Sequence, residues 1–454
     1  MLRDFFKDKE FLRQFGLIAL PVAGQNFINF ATSMADTLMI GQLGEVQLAA
    51  VNQANQLGFI LNLLIFGLGS GSNVMIAQYW GKRDVESIRK VMTLMYRLLI
   101  GVVILFTCLA VFFPHQVMSI FSNSPQVIES GTVFLRIVGL SYFFNCFATA
   151  TIIVLRSVGI VRISLVVYTS SLFINIFLNW VLIFGKLGFP ALGVKGGAIA
   201  TVLARLSELI IVLIFLFRYE KNIGYRLKMF LEKKNGMLRD YFQHASPVII
   251  NELLWGMGTA AITAIIGWMS TEFNAAYTVC SVLAQLLSVA FNGAGSATAV
   301  IIGNTVGAGQ YQLARQRANK LLFIGIALGV GTSILVLVLR QPILSLYNMS
   351  PLTMTYAYQI MGIVAFMSPF SAISMVTIVG VLRGGGDSRF AAYADVVPLW
   401  VITIPLGYLA GHVWGWTVPL VYVMLRSDVV IKAFMTLPRI FAGGWVKDVT
   451  RVLE

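Results

Sequence analysis

The chain has 454 residues, 58% of them hydrophobic and only 11% charged, with a mean hydropathy of +0.82. A soluble domain carries about 25% charged residues, so this chain has too little polar side chain to cover a water-facing surface, and a soluble globular protein is excluded. The formal net charge of +14 would suit a nucleic-acid partner, but the basic residues crowd particular loops between apolar runs, which excludes that class too.

The first segment, "MLRDFFKDKEFLRQ" (Met1–Gln14), is charged and lacks a small-residue cleavage site, so it is not read as a signal peptide. Apolar runs of about 20 residues follow along the whole chain, each long enough to cross a hydrocarbon core about 30 Å thick. They predict twelve spans, at 15–39, 50–78, 91–113, 128–154, 163–184, 194–217, 245–268, 275–304, 319–340, 352–382, 391–411 and 414–437. Run length argues for helices, because barrel strands show short alternating segments. The fold class expected is therefore an all-α polytopic membrane protein of two six-helix bundles.

Lys and Arg concentrate at the N-terminus (Arg3, Lys7, Lys9, Arg13), in "GKRDVESIRK" (Gly81–Lys90), and at Arg156 and Arg162. They recur in 218–240, in "YQLARQRANK" (Tyr311–Lys320), at Arg383 and Arg389, and at the C-terminus. The alternate loops, such as "GQLGEVQ" (Gly41–Gln47) and "HVWGW" (His412–Trp416), are nearly free of them, with Lys186, Lys195 and Arg340 as exceptions. Positive-inside bias then places both termini in the cytoplasm of a multi-pass inner or plasma membrane protein. The expected organisation is a first bundle over 1–217, a basic cytoplasmic linker over 218–244 and a second bundle over 245–454.

An internal repeat supports the two bundles. "GLGSGSNVMIAQYWG" (Gly67–Gly81) lies over "GAGSATAVIIGNTVG" (Gly293–Gly307), with identities at the Gly-x-Gly-Ser start and the final Gly, at a register of roughly 226 residues. "IGQLGEVQLAA" (Ile40–Ala50) lies over "IGWMSTEFNAA" (Ile266–Ala276), and "LRSVGIVRIS" (Leu155–Ser164) over "LRGGGDSRFA" (Leu382–Ala391). Six spans per unit keep both units in the same orientation, a parallel repeat of the kind used for alternating access. "LRGGGDSR" (Leu382–Arg389) lacks the Gly-Lys-Ser/Thr ending of a phosphate loop and reads as a tight turn.

A charge in the bilayer core costs about 2.5 kcal/mol or more, so each ionisable residue inside a span needs a reason. Asp36 falls in the outer half of the first span, and its repeat mate is Ile262. As a helix staple it would need a basic partner, and no Lys or Arg of the first half is expected at matching depth. Asn175 and Asn179 are four apart on one helix face, and Thr201 lies just below the outer end of the sixth span. One carboxylate with amide and hydroxyl oxygens at similar depth suits Na+ or a protonatable Asp in a polar nest. The alternative, that the amides only hydrogen-bond neighbouring helices, stays open.

In the second half, Glu252 lies on the seventh span beside Trp255 and Trp268, and an acid next to aromatic faces suits a lipophilic cation. Arg205 with Glu208, and Arg426 with Asp428, read as local structural pairs. Asp395 reads as interfacial, and Arg136 has no nameable partner. Cys108, Cys146 and Cys280 all fall inside spans and read as small apolar core residues. The three histidines, His115, His244 and His412, are scattered, and no nucleophile, metal or paired-acid constellation for an enzyme is present.

The chain resembles the multidrug and toxic compound extrusion (MATE) transporters over its whole length, in the manner of a NorM/DinF-like prokaryotic member. The carriers are "ADTLMIGQLG" (Ala35–Gly44), "AQYWGKRD" (Ala77–Asp84), "LRSVGIVRIS", "NIFLNWVLIFG" (Asn175–Gly185), "GVKGGAIAT" (Gly193–Thr201), "NELLWGMG" (Asn251–Gly258) and "VLRGGGDSRF" (Val381–Phe390). The resemblance implies a V-shaped central cavity and export of cationic or amphiphilic drugs by a lipid-embedded monomer, driven by Na+ or H+ with no other cofactor. It implies that Asp36, Asn175, Asn179 and Thr201 form an amino-terminal ion site, and that Glu252 is the seventh-helix acid of the NorM branch. Two departures stand out: Asn179 replaces an Asp found in several prokaryotic members, and "SPFSAISMV" (Ser368–Val376) lacks the tenth-helix Asp of that branch. A lipid-linked saccharide flippase of the same superfamily is the alternative, disfavoured by the twelve spans and the acids where the cavity should be.

Overall fold

The computed structural model describes residues 8–231, 236–345, 347 and 349–450, and among them every regular element is helical. Arg3, Lys7, Lys233, Lys234 and Arg451, counted above among the basic segments, lie outside the described residues.

In chain order the first half contains α1 (Lys9–Gly41), α2 (Glu45–Lys82), α3 (Val85–Phe112), α4 (Pro114–Phe121), α5 (Pro125–Val138), α6 (Ser141–Ser157), α7 (Arg162–Phe184) and α8 (Val194–Ile214). A short α9 (Leu227–Leu231) precedes α10 (Leu238–Met269), α11 (Thr271–Gly307), α12 (Tyr311–Leu344) and α13 (Pro351–Ser374). A π-helical stretch, Met375–Leu382, continues α13. Then come α14 (Ser388–Val397) and α15 (Ile404–Tyr408), which π-helical stretches Pro398–Thr403 and Leu409–Val413 join into one continuous helix, followed by α16 (Val418–Leu425) and α17 (Ser427–Ala442). Starts follow local chemistry. Asp84, Ser270 and Ser350 each accept a hydrogen bond from a backbone N–H of the first turn, and Pro114, Pro125 and Pro351 open their helices. Gly185 ends α7 in the left-handed conformation (φ 66°), with no Cβ penalty there.

Among the described residues nine helices are long and apolar enough to cross a membrane, or ten if α5 and α6, bent by 52°, form one span. The two remaining expected spans are helical as well but fall short of that measure. In α1 the run Gln25, Asn26, Asn29 and Asp36 dilutes the apolar character. The twelfth is split at Arg426 into α16 of 8 residues and α17 of 16 residues.

The chain forms two compact units: one takes the described residues of Met1–Ala23, Ala77–Arg83 and Ile250–Glu454, the other Gly24–Ile76 and Asp84–Ile249. In the second of these, α2 crosses the start of α10 where a Cβ on Gly67 would lie 2.8 Å from the Ile249 Cα and one on Gly71 2.5 Å from the Ala245 Cα. The Tyr241 hydroxyl donates to the Leu68 carbonyl at 2.9 Å and pairs with Ser72 at the same crossing. In the other unit the equivalent crossing sets Gly293 of α11 against α1, with the Ala19 carbonyl 2.7 Å and the Ala23 Cβ 3.0 Å from a built Cβ. Repeat mates thus meet repeat mates: Gly67 with Ile249 and Gly293 with Ala23, each pair of mates 226 apart (293 − 67 and 249 − 23).

A third crossing joins the repeats' own ends. A Cβ on Gly307 would lie 1.9 Å from the Gln78 carbonyl oxygen, and one on Gly81 2.2 Å from the Asn304 carbonyl oxygen. The Gln78 side chain then ties the C-terminal tail, donating to the Lys447 carbonyl (3.1 Å) and accepting from the Val449 N–H (2.9 Å). The glycine turn before α14 is anchored as well, because buried Asp387 accepts from Arg439 (2.9 and 3.0 Å) and Lys447 (2.6 Å). Cys146 and Cys280 are buried free thiols and Cys108 is half-buried.

Candidate functional site

Asp36 lies near the end of α1, and the acid before it on that helix is Glu10, about seven turns back. Opposite it on α7, the four-residue spacing of Asn175 and Asn179 puts both amides on one face. The Asn179 Nδ2 donates to the Asp36 Oδ1 at 2.5 Å and to the Asn175 Oδ1 at 3.1 Å. Asn175 and Asn179 are 2% and 0% exposed, and the Asn179 Oδ1 is buried without a hydrogen-bond partner. An orphaned amide oxygen beside a carboxylate is an acceptor set waiting for a cation or a proton donor.

Thr201 on α8 donates to the Gly197 carbonyl at 2.9 Å, so its hydroxyl proton is spent on its own helix while its lone pairs stay available. One turn nearer the start of α8, a Cβ on Gly197 would lie 3.5 Å from Ile183 and 3.6 Å from Ile40. Ile40, Ile183 and Gly197 are each four residues from Asp36, Asn179 and Thr201, so the three helices hold those residues at one level. The structure brings Asp36, Asn175 and Asn179 into direct hydrogen bonding and leaves Thr201 without a direct bond to them.

Arg205, one turn along α8 from Thr201, corrects one expectation. Its guanidinium lies within electrostatic range of Asp36, so a basic group does stand near that depth. It is committed elsewhere, however: Nη1 donates to both Glu208 oxygens at 2.9 and 3.0 Å, and the Ser171 hydroxyl donates to Glu208 at 2.6 Å. The pair expected between Arg205 and Glu208 is present.

The second-half residues sit differently from what the sequence suggested. Glu252 on α10 is not a lone acid, because the Arg383 Nη1 lies 2.8 Å from its Oε1. Arg383, read as a loop cation, is 4% exposed. Trp255, one turn on, is 41% exposed, and Trp268 packs edge-on against His412 with ring centroids 6.1 Å apart. Asp395, read as interfacial, accepts from the Asn251 Nδ2 at 3.0 Å and pairs with the Lys432 Nζ at 2.7 Å. Asp428 also finds its ion-pair partner in Lys432 (2.7 Å) rather than in Arg426. Sequence reading passed over Lys432, although its i, i+4 spacing from Asp428 on α17 was the available signal. Among the described residues no three His, Cys, Asp or Glu side chains group to hold a metal ion.

Comparison with known proteins agrees with this architecture. The family model described as MatE matches residues 21–181 and 247–409, two stretches whose starts are 226 apart (247 − 21). The chain is similar to the "Uncharacterized transporter YisQ" of Bacillus subtilis (strain 168), 24% identical over 417 residues, covering 91% of this chain and 90% of that protein. It is similar to the "Probable multidrug resistance protein NorM" of Thermotoga maritima, 22% identical, covering 95% and 92%. Among solved structures, an outward-facing multidrug resistance MATE family transporter of the MOP superfamily superposes with a TM-score of 0.85 at 18% identity, covering 95% of this chain and 96% of that one.

Proposed function

The chain belongs to the MatE family, matched over 21–181 and 247–409, and from that premise we propose that this membrane transporter is a multidrug exporter working by antiport. Na+ or H+ entering from outside exchanges for cationic or amphiphilic compounds leaving the cell, with alternating access as the means. The chain acts as a monomer in the plasma membrane, with both termini cytoplasmic.

One observation carries the placement of the coupling ion. Of the acids set well inside the helices, Glu208 pairs with Arg205, Glu252 with Arg383, and Asp395 and Asp428 share Lys432. The described partner of Asp36 is a neutral amide, beside an orphaned amide oxygen. A carboxylate left without a bonded cation in a low-dielectric site attracts one from solution, or a proton. Asp36, Asn175, Asn179 and Thr201 are therefore the proposed ion set. An ion that binds one state of the cycle better shifts the equilibrium by that difference in affinity and no more. Glu252 and Trp255 are the proposed drug contacts, with Arg383 as the cation a drug must displace from Glu252.

The test is efflux of a fluorescent cation from proteoliposomes under Na+ or H+ gradients imposed one at a time. Wild type responds to one gradient, and Asp36→Asn loses at least 90% of that response while keeping gradient-free exchange of substrate. An Asp36→Asn protein with full gradient-driven transport overturns the assignment.

A further inference from the structure

The densest set of ionised groups outside that site lies in the second half, on α10, α14 and α17. The Lys432 Nζ is 2.7 Å from the Asp395 Oδ1 and 2.7 Å from the Asp428 Oδ2, and its side chain is 6% exposed. Asn251 contributes the third wall through its bond to Asp395. Glu252 and Arg383 pair nearby, and Arg426 lies within electrostatic range of Asp428. Three acids thus face three basic groups, and no outside ion is needed to balance the charge. In the first half, by contrast, Asp36 and Glu208 face Arg205, which is bonded to Glu208 alone.

An ammonium in this setting is costly to desolvate and is retained only with excellent partners. Its surroundings are two carboxylates and an amide, the hard-oxygen set that alkali cations take. Two acceptors of the same set, the Asp428 Oδ1 and the Asn251 Oδ1, are buried with no hydrogen-bond partner. A spherical ion draws on every oxygen around it. An ammonium, limited to its N–H directions, leaves some unused.

We infer that Lys432 is a tethered cation: Asp395, Asp428 and Asn251 form a monovalent-cation site that the chain fills with its own ammonium, so the second half draws no ion from solution. The inference goes beyond the coupling role of Asp36 and does not depend on it. A transporter built this way carries coupling ions through one half only.

The experiment uses the purified full-length Asp36→Asn protein, so that ion binding at Asp36 is absent whether or not the coupling proposal holds. Saturable 22Na+ binding and melting temperature are measured in NaCl, LiCl and choline chloride at equal ionic strength. The Asp36→Asn protein is expected to bind no saturable Na+ through Asp395. Adding Lys432→Gln is expected to create about one saturable site per chain and a melting temperature at least about 3 °C higher in Na+ or Li+ than in choline. Adding Lys432→Arg, which keeps the charge, is expected to create neither. The inference is overturned if Lys432→Gln folds but gains no cation binding. It is equally overturned if Lys432→Gln fails to fold in every salt while Lys432→Arg folds, because a vacated cation site is rescued by the ion that refills it. Saturable binding in the Asp36→Asn protein that Asp395→Asn abolishes overturns it too.

Discussion

Gly307→Ala tests whether the close crossing of α2 and α11 holds the fold. The added Cβ would stand 1.9 Å from the Gln78 carbonyl oxygen and 2.6 Å from the Gln78 Cα. Real Cβ atoms essentially never come within 3.0 Å of another heavy atom, so the helices must part by at least 1.1 Å (3.0 − 1.9). The obstructing atoms are backbone and no rotamer change relieves the clash. Overpacking of this kind costs about 1–3 kcal/mol. It is offset in part by the helix preference of Ala over Gly, roughly 0.5–1 kcal/mol in a helix interior and less at the last residue of α11. The net loss is about 1–2 kcal/mol, a fall of roughly 1–2 °C in melting temperature for a chain of this length. Thermal unfolding of the detergent-solubilised protein, followed by tryptophan fluorescence, reads it. Gly331→Ala is the matched control, since a Cβ there meets nothing within 4 Å in the middle of α12, and it should melt at or slightly above wild type. Gly81→Ala should resemble Gly307→Ala, and the double variant should cost less than the sum because the first substitution has already opened the crossing. A Gly307→Ala protein that melts with wild type or above it refutes the crossing as described.

Two further outcomes follow from the polar contacts. Asn179→Leu removes the donor to Asp36 and Asn175 and the orphaned oxygen together, so gradient-driven efflux should fall at least tenfold and melting should fall as well, because two buried acceptors lose their partner; unchanged efflux would remove Asn179 from the ion set. At the N-terminus, Asp8 accepts from Lys320, and that bond, with the nearby positive charges, holds its carboxyl below the ordinary value of 3.8. A lowered pKa gives stability that is complete above 3.8 and is lost as pH falls through the folded value. The pair is partly exposed and worth less than about 1 kcal/mol. Asp8→Asn should therefore melt slightly below wild type at pH 7 and level with it well below pH 3.8; a gap that persists in acid would contradict the pairing.

Much of the fold was legible because apolar run length is a physical requirement of the bilayer, and the repeat showed itself at glycines where backbones nearly touch. The candidate ion site was legible for the converse reason: in a chain so poor in charge, Asp36 stands out, and a helix of 3.6 residues per turn puts Asn175 beside Asn179. The second-half network was not. Arg383 stands next to three glycines and a cluster of loop-like residues, so composition read it as a surface cation. Lys432 lies in an apolar stretch whose partner Asp395 is on another helix, and pairing across helices leaves no mark in one sequence. Arg205 was seen beside Glu208, but its reach toward Asp36 depends on how α8 leans on α1, which spacing along the chain cannot give.

The matched crossings also bear on how the chain can change length. From Ala19 with Ala245, through Ala23 with Ile249 and Gly67 with Gly293, to Gly81 with Gly307, the offset between mates stays at 226 (245 − 19, 249 − 23, 293 − 67, 307 − 81). One residue inserted within α2 before Gly67 would turn the glycines that follow by about 100° around the helix. Their bare backbone would then face away from the neighbour it must touch, and a side chain would take its place. Beyond the last crossing the offset slips to 227, at Leu155 with Leu382 (382 − 155). An inserted residue is thus costly between Ala19 and Gly81 and between Ala245 and Gly307, where the two repeats keep one register across crossings whose backbones meet.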